Sequence, residues 1–305
     1  MDFFIQLFTD PVTFWNSHTL LISQVGINGM IATSIFLVLY SGQLSLAAPG
    51  FMAIGAYSAV ILELKLHTPF VVNAVLGVLV AGVVGFAVGL PVLRLRGVFL
   101  AIATIGFVEA LRFGVILNWD ITGEGLGLKN PYADLLGGVY PILISLAVVL
   151  FVSWRLIKGR LGSAWSAIRQ DEIAALSQGI DVARYKMIAF VLSAAIAAFA
   201  GALEAHITFD LDPGTYDVSR AVQILTFAVL GGSGFVLGPL VGAVIITLLP
   251  WVVAGSGDFP YINVIAGIFL IAVIIFRPQG IVGRGGLVFI RPAWWPRRAH
   301  AASPG

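Results

Sequence analysis

The chain contains no cysteine among its 305 residues, and only 10% of its residues are charged. Without cysteine, disulfides, thiolate chemistry and cysteine-ligated metal sites are excluded. The four histidines, His18, His67, His206 and His300, show no metal-ligand spacing, so the sequence predicts no metal site. Apolar residues are abundant instead, at 59% of the chain, and the mean hydropathy is +1.00. This composition differs strongly from that of a soluble domain and predicts a membrane protein.

Long apolar runs predict an all-α polytopic membrane protein with about 8–10 transmembrane helices, some broken or re-entrant, in a single domain over 1–305. A bilayer core of about 30 Å requires about 20 apolar residues per helix. No cleavable signal precedes the first run, which we expect to stay as an anchor. The predicted spans lie near 20–40, 46–64, 70–91, 98–118, 139–157, 187–207, 221–233, 235–254 and 260–276.

Basic residues collect in one set of alternating loops, which orients the predicted spans. If the polar segment 154–186 is cytoplasmic, that side holds two basic residues at 94–96, six in 154–186 and five in 277–305, against four elsewhere. Short cytoplasmic loops are enriched in Lys and Arg. We therefore predict an external N-terminus, a cytoplasmic C-terminus and a basic cytoplasmic tail over 277–305.

Two predicted spans carry interruptions, one in each half of the chain. The first reads YSGQLSLAAPGFMAIGAY over 40–57, and the second reads GGSGFVLGPLVGA over 231–243. Paired interruptions indicate a possible internal repeat with a substrate path near the membrane midplane. Glycines at these places equally allow close helix packing, and both alternatives stay open. The candidate path residues are Gln43, Ser45, Pro49, Gly50, Gly55, Gly231, Gly232 and Gly234.

Ionisable residues inside spans are further candidates, because each is costly in lipid unless it is paired or hydrated. Glu109 lies within a span, and Arg112 follows three residues later on the same helical face. Two interpretations of Glu109 stay open: a structural ion pair with Arg112 and a site that faces the substrate. Glu204 and His206 lie near the outer end of their span and are expected at the membrane interface.

The segment 154–186 is the one long hydrophilic interruption of the chain. Helical spacing over Ser163 to Gln178 places an apolar stripe on one face, with Gly179 as the expected stop. The stripe consists of Trp165, Ile168, Glu172, Ala175 and Leu176. A carboxylate in an apolar stripe requires a partner, which another protein could supply. An amphipathic helix on anionic lipid is the alternative.

The string EIAALSQG at 172–179 resembles the EAA loop of ABC-importer permeases. Almost the whole chain resembles the LivM-like permeases of branched-chain amino acid ABC importers. Beyond the two interrupted strings, the resemblance rests in order on LPVLRLRGVFLAIATIGFVEALR at 90–112, NWDITGEGLGL at 118–128, GRLGSAWSAIRQDEIAALSQGIDVARYKMIAFVLSAAIAAFAGAL at 159–203 and FRPQGIVG at 276–283. The chain departs from the family at Ala47-Ala48-Pro49 and at Gly123-Glu124-Gly125, which bears on the shape of the path.

The resemblance implies a permease subunit in the inner membrane of a bacterial-type cell. Its implied partners are a related second permease, so that a heterodimer is expected, two cytosolic ATPases that use ATP and Mg, and an external binding protein. The chain has no GxxxxGK[ST] phosphate loop and is therefore expected to be a translocation subunit rather than an enzyme, with no cofactor and no nucleic acid bound. The implied ATPase-coupling residues are Trp165, Ile168, Arg169, Glu172, Ala174, Ala175 and Gly179.

On the opposite face, the acidic loops near 119–138 and 208–220 are expected to receive the binding protein, although exposed acids equally suit ordinary solvated loops. Their acids are Asp120, Glu124, Asp134, Asp210, Asp212 and Asp217. Two alternative functions remain: a gradient-driven secondary transporter of small polar solutes, with Glu109 as its titratable group, and an ABC importer permease for urea or amides. The sequence does not identify the solute.

Overall fold

A computed structural model describes residues 18–123, 127–131, 138–232, 234–254, 282–283 and 286–287. The chain is an all-α bundle, as predicted, and its described part contains ten α-helices. They are α1 Thr19–Tyr40, α2 Ala48–Leu66, α3 Phe70–Val92, α4 Val98–Leu111, α5 Tyr140–Lys158, α6 Arg160–Gln170, α7 Glu172–Ser177, α8 Val182–Ala205, α9 Val218–Gly231 and α10 Gly238–Ala254. The predicted span 260–276 and the tail 277–305, apart from two short strands, lie outside the described residues.

Among the described residues, six helical segments are long and apolar enough to cross a membrane by length and composition. They are α1, α2, α3, the segment Val98–Ile116, α5 and α8, and α9 and α10 are shorter apolar helices. Val98–Ile116 combines α4 with a π-helical turn, Arg112–Ile116. Each of the eight spans predicted before residue 255 coincides with one of these helices.

Short strands and 3₁₀ turns lie in the loops. β1, Leu128–Lys129, pairs antiparallel with β2, Asp210–Leu211, and a second pair joins β3, Val282–Gly283, to β4, Gly286–Leu287. The 3₁₀ turns are Asp120–Thr122 and Pro213–Tyr216. The β1–β2 pair joins the loop before α5 to the loop after α8, so both loops lie at one end of the bundle.

Small residues let α8 pack closely against α2 at the centre of the bundle. A Cβ on Gly55 would overlap the Ala198 carbonyl, and a Cβ on Gly201 would overlap the Met52 carbonyl. Ala194 and Ala197 are fully buried beside them. Gly-mediated contacts of this kind bring helix backbones together in membrane proteins, where lipid supplies no hydrophobic driving force between helices.

The bundle has two chemically different ends. The first, here called the helical end, holds α6 and α7, the turn after α1 and the loop between α3 and α4. The second, here called the strand end, holds the β1–β2 pair and the loop after α8. In the described part, the helical end carries eight of the basic residues and the strand end carries four, Lys65, Arg112, Lys129 and Arg220.

The first interruption is shorter than the sequence suggested. Only 41–47 is non-helical, and α2 runs without a break from Ala48. Pro49 lies in the first turn of α2, where a missing N–H costs no intrahelical hydrogen bond. The second interruption lies between α9 and α10, where the described residues 232 and 234–237 are outside both helices and Gly232 has a φ of 100°. The sequence also predicts that Gly42, Pro49, Gly50 and Gly55 break the first of these spans; Gly42 does lie in the non-helical stretch, whereas Pro49, Gly50 and Gly55 lie within α2.

Candidate functional site

The polar segment folds as two helices, α6 and α7, so the predicted single helix over Ser163 to Gln178 was wrong. Asp171 separates them in an extended conformation. Its Oδ1 accepts hydrogen bonds from the backbone N–H groups of Ile173, at 2.8 Å, and Ala174, at 3.0 Å. Aspartate favours this N-cap position over a helix interior, which explains the break.

One face of α6 and α7 is buried against the chain itself. Trp165 is fully buried, and its Nε1 donates a hydrogen bond to the Tyr185 carbonyl at 2.9 Å. Ile168 and Ala175 are buried in a cluster with Val182. Three of the predicted ATPase-coupling residues, Trp165, Ile168 and Ala175, therefore attach the segment to α8.

The opposite face of α7 is apolar and exposed. The exposed fractions are 75% for Ile173 and 52% for Leu176, and Ala174 is exposed between them. Arg169 and Gly179, also among the predicted coupling residues, are exposed as well. We call Ile173, Ala174 and Leu176 the docking face. Helical spacing did not separate this face, because it placed Leu176 in one apolar stripe with Trp165, Ile168 and Ala175 and assigned Ile173 to no stripe.

Glu172 is paired within the chain, which corrects the hypothesis that its partner lies on another protein. Its carboxylate lies 3.0 Å from the Lys186 ammonium and 3.5 Å from the Arg96 guanidinium. These two ion pairs tie α7 to α8 and to the loop between α3 and α4. The largely buried Lys186 makes the closer of the two contacts, whereas Arg96 is exposed and its ion pair is expected to be weak.

Both interrupted segments touch the polar segment. A Cβ on Gly42, which has a φ of 81°, would lie 3.1 Å from the Arg169 Cα, and Val236 of the α9–α10 turn shares a buried cluster with Trp165. Movement of α6 would therefore reach both turns directly. Sequence alone could not predict this contact, since it joins residues far apart along the chain.

The first interruption is also bonded to α8 and α4. The Gln43 side-chain amide donates to the Lys186 carbonyl at 3.0 Å and to the Ser41 hydroxyl at 2.8 Å. The Leu46 N–H donates to the Thr104 hydroxyl at 2.9 Å, two turns into α4. The backbone of this non-helical stretch is thus hydrogen-bonded to and covered by its own chain.

Among the remaining candidate path residues, three glycines have clear packing roles. A Cβ on Gly50 would lie 2.9 Å from the Phe107 ring, and Gly55 and Gly231 face the carbonyls of Ala198 and Gly238. The Ser45 hydroxyl accepts the Ala47 N–H at 3.3 Å and so belongs to the first interruption. Gly232 and Gly234 lie in the α9–α10 turn. The packing alternative accounts for Gly50, Gly55 and Gly231.

Glu109 and Arg112 form the pair that their spacing indicates. Their side chains meet at 3.3 Å, and the Arg112 Nε donates to the Pro213 carbonyl at 3.1 Å. Arg112 begins the π-helical turn, and its guanidinium stacks 5.1 Å from the Phe113 ring centroid. The pair fastens the end of α4 to the loop after α8.

Two ionisable residues expected at the outer membrane interface lie at the strand end of α8, where His206 is buried and Glu204 is partly buried within the protein. His206 is fully buried, with Nε2 2.7 Å from the Glu63 carboxylate and Nδ1 2.8 Å from the Ala202 carbonyl. Glu204 pairs with Arg220 at 3.2 Å. Sequence reasoning missed Glu63 and Arg220, although acidic and basic residues in or beside apolar runs were the available signal.

The strand end contains a cavity of about 280 Å³, which lies between the start of α1, the start of α5 and the loop after α8. Ser23, Val139, His206 and Phe209 are among its lining residues. Nearby, burial and the Glu204 carboxylate raise the pKa of the Tyr216 hydroxyl well above its ordinary value, so this hydroxyl stays protonated and can donate a hydrogen bond.

The sequence profile of the family described as the permease component of the branched-chain amino acid transport system matches residues 18–276. The chain belongs to this family. Membership of this family, together with the six long apolar helices of the described residues, identifies the chain as a multi-pass membrane protein. These findings confirm the fold class and the family resemblance that the sequence predicts.

Relatives of this chain include two proteins named for amino-acid transport. It is 34% identical over 274 residues to the high-affinity branched-chain amino acid transport system permease protein LivM of Salmonella typhimurium, and 33% identical over 274 residues to LivM of Escherichia coli. Each match covers 79% of this chain but spans 64% of the LivM relative.

A third relative has a different cargo in its name. The chain is 31% identical over 191 residues to the autoinducer 2 import system permease protein LsrC of Shigella flexneri, a match that covers 57% of this chain and 54% of that protein. Family membership therefore includes permeases with more than one kind of solute in their names.

Proposed function

We propose that this chain is the translocating permease subunit of an ATP-driven importer for branched-chain amino acids. The observation that supports it is the apolar docking face on a polar segment, in a chain whose family is described as the permease component of such a system. Exposed apolar patches mark protein or membrane interaction sites, and the partner proposed here is a protein. The function is transport without catalysis in this chain, and ATP and Mg are used by the partner.

The partner proposed for the docking face is a cytosolic ATPase, two copies of which drive a complex with a second, related permease. Ile173 and Leu176 enter a groove on each ATPase, in the helix-in-groove mode. Closure of the ATPases moves α6 and α7 as a unit, because Trp165 and Glu172 fix both helices to α8. The movement reaches both interruptions through Arg169 and Val236.

An external binding protein is the proposed partner of the strand end. Two of the acids expected there have local roles, because Asp212 accepts the Gly214 N–H at 2.9 Å and Asp217 accepts the Arg220 N–H at 2.9 Å. Asp210 is exposed in β2. Of the remaining acids, Glu124 and Asp134 lie outside the described residues, and no side-chain role is assigned to Asp120.

This arrangement places the helical end in the cytoplasm of a bacterial-type cell, in its inner membrane. The eight basic residues at that end support this orientation by the positive-inside rule. An external N-terminus and a cytoplasmic C-terminus follow from it. Binding of a cytosolic ATPase at α7 would fix the same orientation independently.

The proposed docking is tested by co-purification of the ATPases with tagged permease. We expect Ile173→Gln and Leu176→Gln together to reduce the bound ATPase, because each exposed apolar side chain contributes about 1.5–3 kcal/mol when fully buried. The matched control is Phe209→Gln, an equally exposed apolar residue at the strand end. Equal ATPase recovery from the double variant and the control would exclude α7 as the docking element.

A further inference from the structure

The loop after α8 descends into the bundle before α9 begins. The Tyr57 hydroxyl of α2 donates a hydrogen bond to the Leu211 carbonyl at 3.2 Å. Tyr57 lies nine residues before the end of α2, or about 13.5 Å along the helix axis, which is more than a tyrosine side chain and its hydrogen bond span. Ala221, in the first turn of α9, shares a buried cluster with Leu46, which precedes the opposite end of α2. Residues 211–216, here called the re-entrant turn, therefore lie well inside the bundle.

Side chains from three membrane-spanning segments hold the re-entrant turn. Besides the Tyr57 contact, the Arg112 Nε at the end of α4 donates to the Pro213 carbonyl at 3.1 Å. The Tyr216 side chain is hydrogen-bonded to Glu204 of α8, and its ring packs edge-on against the Tyr57 ring, with 6.2 Å between the centroids. Ionisable groups inside membrane spans are costly, and two of them here hold a loop in place.

The re-entrant turn has a buried side and an exposed side. Leu211, Pro213 and Tyr216 are buried, whereas Asp212 and Thr215 are exposed. Non-helical backbone at membrane depth is tolerated only where protein buries it or where it lines an aqueous cavity. With one side open to the strand end and the other packed on helices, the turn separates the outside of the bundle from its interior.

α2, α4 and α9 surround the re-entrant turn. Its 3₁₀ part contacts α2, α9 and the π-helical turn that ends the α4 segment. From the helical end, the first interruption enters between the same helices, because Leu46 packs with Ala101 of α4 and with Ala221 of α9. Two non-helical segments thus approach each other from opposite ends. Of their walls, α4 is far less buried than α2 and is therefore freer to move.

We propose that the re-entrant turn is the outer gate of the solute path and that this path runs between α2, α4 and α9. The turn closes the path in the conformation described here and withdraws toward the strand end when a solute enters. Its polar contacts to α2, α4 and α8 are side-chain hydrogen bonds, which water replaces as the turn lifts, so that no helix has to unfold. The inference rests on the proposed function, because it assigns the entry step of that transport to a segment of the chain.

Thiol labelling measures the gate directly, since the chain has no cysteine of its own. Leu211→Cys and Pro213→Cys report on the buried side of the turn, and Thr215→Cys on its exposed side is the matched control. A membrane-impermeant maleimide is applied outside proteoliposomes that hold the complete importer, with ATP and Mg enclosed. Labelling rates are compared at rest and during turnover with leucine and the binding protein.

The decisive quantity is the labelling rate of each buried reporter divided by the rate of Thr215→Cys, because docking of the binding protein shields both. We expect this ratio to rise about tenfold during turnover, as a minor open state becomes populated. A ratio that stays constant while leucine is taken up would overturn the inference. Equal rates of buried and exposed reporters at rest would overturn it too, since the turn would then close nothing.

Variants test the contacts that hold the re-entrant turn. Tyr57→Phe and Arg112→Gln should each raise the resting labelling of Leu211→Cys by about 2- to 10-fold, the effect of losing one net hydrogen bond. Tyr40→Phe, which removes a tyrosine hydroxyl at the helical end, should leave it unchanged. Equal resting rates in all three variants would contradict the holding role of these contacts. If Arg112→Gln does not fold, the conservative Tyr57→Phe decides.

The outcomes for the gate and for the proposed function are distinguishable. If the importer takes up leucine with ATP while the labelling ratio stays constant, the gate assignment fails and the transport function stands. If ATP-dependent uptake is absent, the proposed function fails, and the resting rates with and without Tyr57→Phe still decide whether the turn opens at the strand end.

Discussion

Gly55 and Gly82 are both helical glycines of apolar helices, but their surroundings differ. Gly55 faces the Ala198 carbonyl so closely that a Cβ has no room, whereas a Cβ on Gly82 of α3 would meet nothing within 4 Å. The same residue type therefore has a packing role at one position and none at the other. The difference depends on a helix 140 residues further along the chain, so the sequence alone could not predict it.

This contrast predicts opposite effects of adding one methyl group. Gly55→Ala should lower the free energy of unfolding by about 1–3 kcal/mol, as overpacking in well-packed interiors does. Gly82→Ala should leave it unchanged or raise it by up to about 1 kcal/mol through helix propensity. Thermal unfolding of the purified variants in detergent measures both. Equal stability of the two variants would contradict the close α2–α8 contact.

At the scale of elements, the polar segment combines a buried side and an exposed side in only two short helices. Composition identified this segment, and spacing identified Trp165, Ile168 and Glu172 within it. The break at Asp171 follows from a local N-cap signal that the helical-spacing argument overlooked. The intrachain partners of Glu172 were not predictable, because Lys186 and Arg96 approach it only in the folded bundle. The prediction of Glu172 as an interface residue assumed a partner outside the chain.

The Glu172–Lys186 pair should transmit ATPase movement into the bundle. Glu172→Lys and Lys186→Glu are each expected to lower the amount of leucine transported per ATP by about two- to thirtyfold, the range of single-site effects on coupling between distant sites. The double exchange should recover most of it, because the opposite charges again meet. Uptake and ATP hydrolysis are measured in the same vesicles.

Arg155→Glu is the matched control for this experiment, since it reverses an exposed charge at the same end of the bundle. It should leave the transport per ATP unchanged. A double exchange no better than either single variant would show that the pair does not act as a unit.

At the scale of the whole molecule, the chain has an end with basic residues and an apolar docking face, and an end with a cavity and a buried ion pair. Apolar periodicity and charge distribution predicted the helices and the difference between the ends. The buried pair Glu63–His206 and the partly buried pair Glu204–Arg220 were not predicted, because each joins separate helices whose neighbours in space cannot be read from one sequence. The central claim is that a solute crosses between the two ends and that ATPases bound at the basic end drive this transport.

Leucine uptake into proteoliposomes tests that claim most directly. The permease is reconstituted with its second permease and ATPases, and the binding protein is added outside. We expect uptake only when ATP and Mg are supplied on the ATPase side, with no uptake driven by a proton or sodium gradient in the absence of ATP. Gradient-driven uptake without ATP would contradict the account and indicate a secondary transporter.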